Sequence, residues 1–123
     1  MKITERGWAG HFICANRCRF RRNTLIEGAG RRIVVSTVGG FFTNEGLQQI
    51  GHNRYYETMA YAAKDDGGYV EADVSEPLDI EGTCGIYAER PEELPDQVDN
   101  YANLIHDRVV AEFAAQLSLQ PNA

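Results

Sequence analysis

Residues 31–38 read Arg31-Arg32-Ile33-Val34-Val35-Ser36-Thr37-Val38, and an extended chain with this order is apolar on both of its faces. A strand that covers a core on one side alternates polar with apolar, so Ile33, Val34, Val35 and Val38 in near succession indicate a central strand covered on both sides. The preceding Glu27-Gly28-Ala29-Gly30 reads as a turn, because glycine takes positive φ at no steric cost. A hairpin is therefore expected, with Arg17 to Ile26 as the partner strand. Along that partner Arg17, Arg19 and Arg21 share one side while Cys18 and Phe20 share the other, which sets a row of guanidinium groups over a half-buried strand.

Working outward towards the start, Lys2 to Glu5 reads as a short strand, and Gly7 and Gly10 frame Trp8 in a turn. A strand at about residues 11–16 follows, with His11, Ile13 and Ala15 on one face and Phe12, Cys14 and Asn16 on the other. Towards the end, Gly39-Gly40 is expected to close the central strand, and Asn44-Glu45-Gly46 to form a turn between short strands at Phe41–Phe42 and Leu47–Ile50. Arg54 to Ala63 carries alanines that favour helix beside tyrosines and Thr58 that favour strand. The turn Asp65-Asp66-Gly67-Gly68 and the alternation from Tyr69 to Val74 decide for strand, with Val70, Ala72 and Val74 facing in. Ser75 to Arg90, broken by Pro77, Gly82 and Gly85, reads as an irregular connection.

A helix is predicted over Asp96 to Leu117, where Val98, Tyr101, Ala102, Ile105, Val109, Phe113 and Leu117 recur at threes and fours as one apolar stripe. Asp96 can cap it, and His106 falls beside the stripe as a half-exposed residue. Strands first and a long helix last give an α+β fold. The expectation is a single domain over residues 1–123: an antiparallel sheet of about five strands with the C-terminal helix packed on one face.

A chain of 123 residues is long enough to bury a core without staples, and no apolar run approaches the roughly 20 residues that cross a bilayer. The start of the chain lacks the apolar segment and small-residue cleavage site of a secretory signal, so the expected location is cytoplasmic. Three cysteines, Cys14, Cys18 and Cys84, make a poor disulfide framework and read as free thiols. Charge is placed unevenly: residues 1–63 hold nine basic against four acidic side chains, and residues 64–123 hold three against fourteen. Such halves either neutralise each other side by side or form separate surfaces, one basic and one acidic.

Few residues combine into a chemical motif. His11, Cys14 and Cys18, with Cys84 or His52, have the residue types of a zinc site, but His11 and Cys14 fall on opposite strand faces and no paired C-x-x-C occurs, so no metal is assigned. A cysteine nucleophile needs a base within reach, which Cys14 or Cys84 could find in His52 or His106, and a small hydrolase or transferase around Cys14, His11 and His52 is the alternative function. Gly39-Gly40 lacks the later glycines and the lysine of a phosphate loop, and no cofactor is implied. Two surfaces remain as binding candidates: the acidic set Asp65, Asp66, Glu71, Asp73, Glu76, Asp79 and Glu81, and the arginine row Arg17, Arg19 and Arg21. Arginine suits bidentate pairing with phosphate, but the net charge of −6 does not favour nucleic acid as the partner.

The blocks ERGWAGHFICANRCRFRRNT, RIVVSTVG and RYYETMAYAA resemble those of a family of small uncharacterised proteins found in bacteria and their phages and prophages. The resemblance carries no activity and no site residue. It implies a context in which small acidic proteins occupy a surface of a host machine, including defence complexes. The expected role is accordingly a non-enzymatic accessory or inhibitory protein that binds a host protein or nucleoprotein complex through a charged surface. Self-association as a homodimer, through an uncovered sheet face or the helix, is a third reading.

Overall fold

In the computed structural model, residues 1–7, 17–51, 54–80, 85–88 and 95–119 are described. The strand expected at residues 11–16, with Trp8, His11 and Cys14, lies outside them, as do His52, Glu81 and Cys84. The elements are β1 (Lys2–Glu5), β2 (Cys18–Gly28), β3 (Arg31–Thr43), β4 (Gly46–Gln48), β5 (Tyr56–Asp66), β6 (Tyr69–Leu78), β7 (Ile86–Ala88) and α1 (Pro95–Leu119). The sheet runs β1-β2-β3-β5-β6 with every neighbour antiparallel, and α1 packs across one face, which is the expected α+β architecture.

The opening hairpin forms as read. Glu27 pairs with Arg32 and Gly28 with Arg31, and the two-residue link has positive φ at both positions, 51° at Ala29 and 71° at Gly30. That is a type I′ geometry, whose twist matches that of the flanking strands. β3 lies between β2 and β5 and is buried from Ile33 to Gly40, as a two-sided strand should be.

Gly39-Gly40 does not end β3, which runs on to Thr43. Gly39 pairs across the sheet with Tyr56, and the tyrosine ring lies where a side chain would stand: a Cβ on Gly39 would sit 1.9 Å from Tyr56 Cδ1. Glycine here is a packing requirement, filled by the neighbour's ring. Beyond it, β4 folds back on Phe41 to Thr43.

β5 is a strand, as the turn after it indicated, and β6 and β7 share its far edge: β7 pairs with Tyr56 to Thr58 and β6 with Ala60 to Asp66. The register of β6 jumps, since Ala72 pairs with Ala63 but Pro77 with Tyr61. Residues 73–76 therefore stand opposite Ala62 alone, and Asp73 Oδ1 closes the excursion by accepting from Ser75 N at 3.1 Å and Ser75 Oγ at 2.6 Å. This corrects the expectation for Val74, which is 57% exposed on the excursion instead of facing in with Val70 and Ala72. It also corrects the reading of an irregular connection from Ser75, because β6 continues to Leu78, Ile80 is buried and β7 follows.

Two apolar layers result. Between α1 and the sheet lie Ile26, Ile33, Val35, Ala60, Ile80, Ile105, Val109, Phe113 and Leu117. On the other sheet face Leu25, Val34, Tyr61 and Ala72 are buried together. The sheet is strongly folded: β3 and β6, separated by β5, bring Cα atoms within 8 Å, nearer than the ~9.6 Å of two strand spacings in a flat sheet. Across that second face Arg6, just past β1, donates to Asn23 Oδ1 at 2.8 Å and to the Val70 carbonyl of β6.

The helix spans Pro95 to Leu119, a residue or two beyond each predicted end, with proline at its first position where no N–H is needed. Tyr101 is not part of the buried stripe and is 52% exposed. The buried line runs through Ala102, His106, Val109, Phe113 and Leu117, and Tyr101 lies about 100° back from Ala102 around the helix.

These packings make two opposite expectations for single residues. Gly39→Ala drives a methyl into the Tyr56 ring, and a thermal unfolding curve should record a loss of about 2–3 kcal/mol. Ala29→Asn places an αL-tolerant residue before Gly30 and should raise stability by up to about 1 kcal/mol.

Candidate functional site

The most organised polar cluster sits in the helix–sheet interface. Facing α1 are Thr24 on β2, Thr37 on β3 and Thr58 on β5, placed side by side because Thr37 pairs directly with Thr58 and with Arg22, two residues from Thr24. His106 of α1 inserts between them and is fully buried, which corrects its expected place beside the stripe. Its Nε2 is 2.7 Å from Thr24 Oγ1 and its Nδ1 2.7 Å from Thr37 Oγ1. Thr37 Oγ1 is in turn 2.7 Å from Thr58 Oγ1, and Thr24 Oγ1 is 2.7 Å from Glu5 Oε2.

The donors in this line follow from counting protons. Ionised Glu5 can only accept, so the single Thr24 proton goes to it. Thr24 must then accept from His106, which places the imidazole proton on Nε2. Neutral imidazole has only one N–H, so Nδ1 accepts from Thr37, and Thr37 accepts from Thr58. Every hydrogen bond points the same way, from Thr58 out to Glu5.

Glu5 ends the line at the surface. Arg22 holds it with Nη2–Oε2 at 2.9 Å and Nε–Oε1 at 3.3 Å, and reaches α1 with Nη1 at 2.7 Å from Asp107 and 3.2 Å from Asn103. Partial burial favours the neutral Glu5 acid, but hydrogen bonds from Arg22 and Thr24 and the Arg22 charge outweigh it and hold the carboxyl below its ordinary range. His106 is pushed down to about 4, chiefly by burial and further by the Arg22 charge, against the smaller pull of Glu5 and Asp107.

A threonine hydroxyl 2.7 Å from an imidazole is the spacing of a nucleophile and its base. Thr37 and His106 are both 0% exposed, however. Of the open clefts described, one of about 530 Å³ is bounded by Lys2, Glu27, Arg31 and Arg32, and one of about 490 Å³ by Phe41, Asn44, Glu45 and Gln48; neither touches the line. The arrangement orients and fastens the helix. Among the described residues no three His, Cys, Asp or Glu side chains are grouped to hold a metal. The residues of the hydrolase reading, His11, Cys14 and His52, lie outside those described.

The charged surfaces divide differently from the sequence pattern. Arg19 leaves the row to pair with Asp99 of α1 at 2.8 Å, and the same carboxylate accepts from Tyr56 O–H. Tyr56 is packed edge-on to Phe20 and Tyr55, with ring centroids 5.3 and 5.1 Å apart, and burial with Asp99 raises its pKa. Arg17 and Arg21 are exposed. Arg32 grips Asp65 with two bonds of 2.8 and 3.2 Å. Arg19–Asp99, Arg22–Asp107 and Arg32–Asp65 each join the basic half of the chain to the acidic half.

Of the acidic set, Asp65 and Asp66 are exposed at the β5–β6 turn, Glu71 and Asp73 are half-buried on β6, and Glu76 and Asp79 are exposed farther along. Glu81 lies outside the described residues. The hairpin thus gathers five of the seven predicted carboxylates, with Asp79 immediately after it, Asp65 already paired and Asp73 engaged by Ser75. The line of Glu5, Thr24, Thr37, Thr58 and His106 is not legible as a unit in the sequence. Its one legible signal is that His106 stands four residues after Ala102 and three before Val109.

No protein-family model, curated protein or solved structure matches this chain.

The titrations set an acid limit. His106 binds its proton more weakly folded than unfolded, so its contribution is intact above pH 6.5 and is lost as pH falls from 6.5 towards 4. One excess proton on the unfolded chain over that window removes ~3 kcal/mol. Glu5, with a lowered folded pKa, adds a further loss below about its unfolded value of 4.5. Chemical denaturation between pH 7 and 4 should show this slope. His106→Gln, which retains a donor and an acceptor but no titrating ring, should remove the part above pH 4.5.

Proposed function

We propose that this chain is a non-enzymatic, phage-type binding protein of the bacterial cytoplasm that presents its acidic β5–β6 hairpin to a basic surface of a host protein or nucleoprotein complex. The observation that carries this reading is the company the carboxylates keep. Asp66, Glu71 and Glu76 share one edge hairpin with Tyr69 and Val74, which are 71% and 57% exposed, and Asp79 follows directly after it. An aromatic and an aliphatic side chain among acceptors offer contact area as well as charge, a combination suited to a basic groove. The hairpin lies at the end of the described strand order, where β6 pairs with β5 and accepts one further bond, from Arg6 to the Val70 carbonyl. The arginine row is the weaker surface, because Arg19 is engaged with Asp99.

The polar line at His106 is closed to solvent, which supports binding over catalysis. The resemblance of the blocks from Glu5, Arg32 and Arg54 to small phage and prophage proteins supplies the biological setting, in which occupying a host machine, defence complexes included, is a common way to inhibit it.

The quadruple variant Asp66→Lys, Glu71→Lys, Glu76→Lys and Asp79→Lys tests the reading; it spares Asp73 and Asp65, whose contacts shape the hairpin. Immobilised wild-type protein should retain a basic host factor from bacterial lysate, identified by mass spectrometry, with retention falling as salt rises. The variant should retain at least about tenfold less while its unfolding curve stays unchanged. Equal retention overturns the acidic reading, and loss on Arg17→Glu with Arg21→Glu instead moves the surface to the arginines.

A further inference from the structure

The outer face of α1 carries a second pattern, independent of the acidic hairpin. Of the seven large hydrophobic residues that are exposed among those described, three lie on this helix: Tyr101 at 52%, Leu104 at 68% and Leu119 at 85%. With Arg108, Glu112 and Ala115, all exposed, they form a single stripe. At 100° per residue Tyr101, Leu104, Arg108, Glu112, Ala115 and Leu119 fall within an arc of about 80°. This arc flanks the stripe that packs on the sheet: their middles are about 125° apart, and Glu112 lies about 20° from buried Ile105.

The order along the stripe is nearly a palindrome: apolar, apolar, positive, negative, small apolar, apolar. We propose that it is the contact surface for a second copy of this chain, with the two α1 helices antiparallel about a two-fold axis near residue 110. Such an axis sets residues against each other when their numbers add to about 220. Arg108 then faces Glu112 of the second copy, and Glu112 faces its Arg108. Tyr101 meets Leu119 and Leu104 meets Ala115, again twice each. Ala111, exposed beside the axis, leaves room for close approach of the backbones.

The complementarity is specific to this direction and partner. A parallel pairing in register sets Arg108 against Arg108 and Glu112 against Glu112, which like-charge repulsion opposes. An isologous contact uses the same patch on both copies, and a stripe whose charges reverse about its own midpoint meets that condition. The net charge of −6 on each copy opposes association at low ionic strength, so the contact is read at physiological salt.

Sedimentation velocity over a range of concentrations tests the pairing. Wild-type protein should move from the 13.7 kDa chain mass to twice that value as concentration rises. Arg108→Glu alone and Glu112→Arg alone should each weaken the dimer at least about tenfold, since each sets like charges face to face twice. Mixing the two variants should restore a dimer containing one of each, and the double variant should dimerise by itself. These positions are exposed, and unchanged unfolding curves show that the fold is not the cause. Wild type that stays at chain mass, single variants that still dimerise, or a mixture that stays monomeric would overturn the pairing.

Discussion

The helix meets the sheet through a line of hydrogen bonds with one allowed direction, and much of the architecture serves to keep that line complete. A buried imidazole without partners costs several kcal/mol, and each threonine hydroxyl beside it carries a similar liability. Here both nitrogens and the three hydroxyls are joined at 2.7 Å. The arrangement needs β2, β3 and β5 in one register, α1 at one rotation and Glu5 ionised at the end of β1. A slip of one residue in any strand would turn its threonine to the other face and leave His106 short of a partner. Apolar packing around Ile26, Val35, Val109 and Phe113 supplies the bulk of the attraction. The polar line selects one arrangement among those that apolar contact alone would accept.

The same logic accounts for three of the arginines on β2 and β3, Arg19, Arg22 and Arg32. Arg22 is the hub of the surface end, because it holds both Glu5 of β1 and Asp107 of α1. Its pair with Glu5 keeps that carboxyl ionised, which fixes the direction of the proton line, so a contact at the rim sets the state of a residue in the core. Arg19 and Arg32 play simpler parts, tying α1 and the β5–β6 hairpin to the opening hairpin. Individually such exposed pairs contribute about 0–1 kcal/mol. Their effect is to bring two halves of opposite charge together and leave the residual negative charge on β6 and the hairpin turn.

What could be read from the residues divides along physical lines. The hairpin at Ala29-Gly30, the two-sided β3 and the long final helix follow from local signals, namely turn residues, apolar runs and a 3.6-residue period. Gly39 misleads because a glycine that ends a strand and one that accommodates a neighbour's ring look alike in sequence; only the pairing with Tyr56 separates them. Val74 misleads for a related reason, since alternation presumes an unbroken register and the excursion at residues 73–76 breaks it. His106 misleads because the apolar residues of the helix define the stripe without it, and its burial depends on partners from other elements. The three threonines that make it a core residue come from strands 48 to 82 positions away.

The surfaces left over show how the fold separates its tasks. Sealing the polar line consumes Glu5, Arg22 and Asp107, and bracing the sheet engages Arg19 and Arg32 with Asp99 and Asp65. Among the described residues, exposed apolar side chains stand beside charge at Met1 and Ile3 of the sheet's first edge and in two larger regions: the β5–β6 hairpin around Tyr69 and Val74, and the outer stripe of α1 around Tyr101 and Leu104. Each lies on an element held by the sheet on one side only. A partner on the hairpin and a second copy on the helix would therefore not compete for the same residues, and pairing through α1 would double the number of acidic hairpins in one particle. Two linked hairpins bind a repetitive or two-fold basic surface with far greater strength than one, through effective concentration and without any new contact.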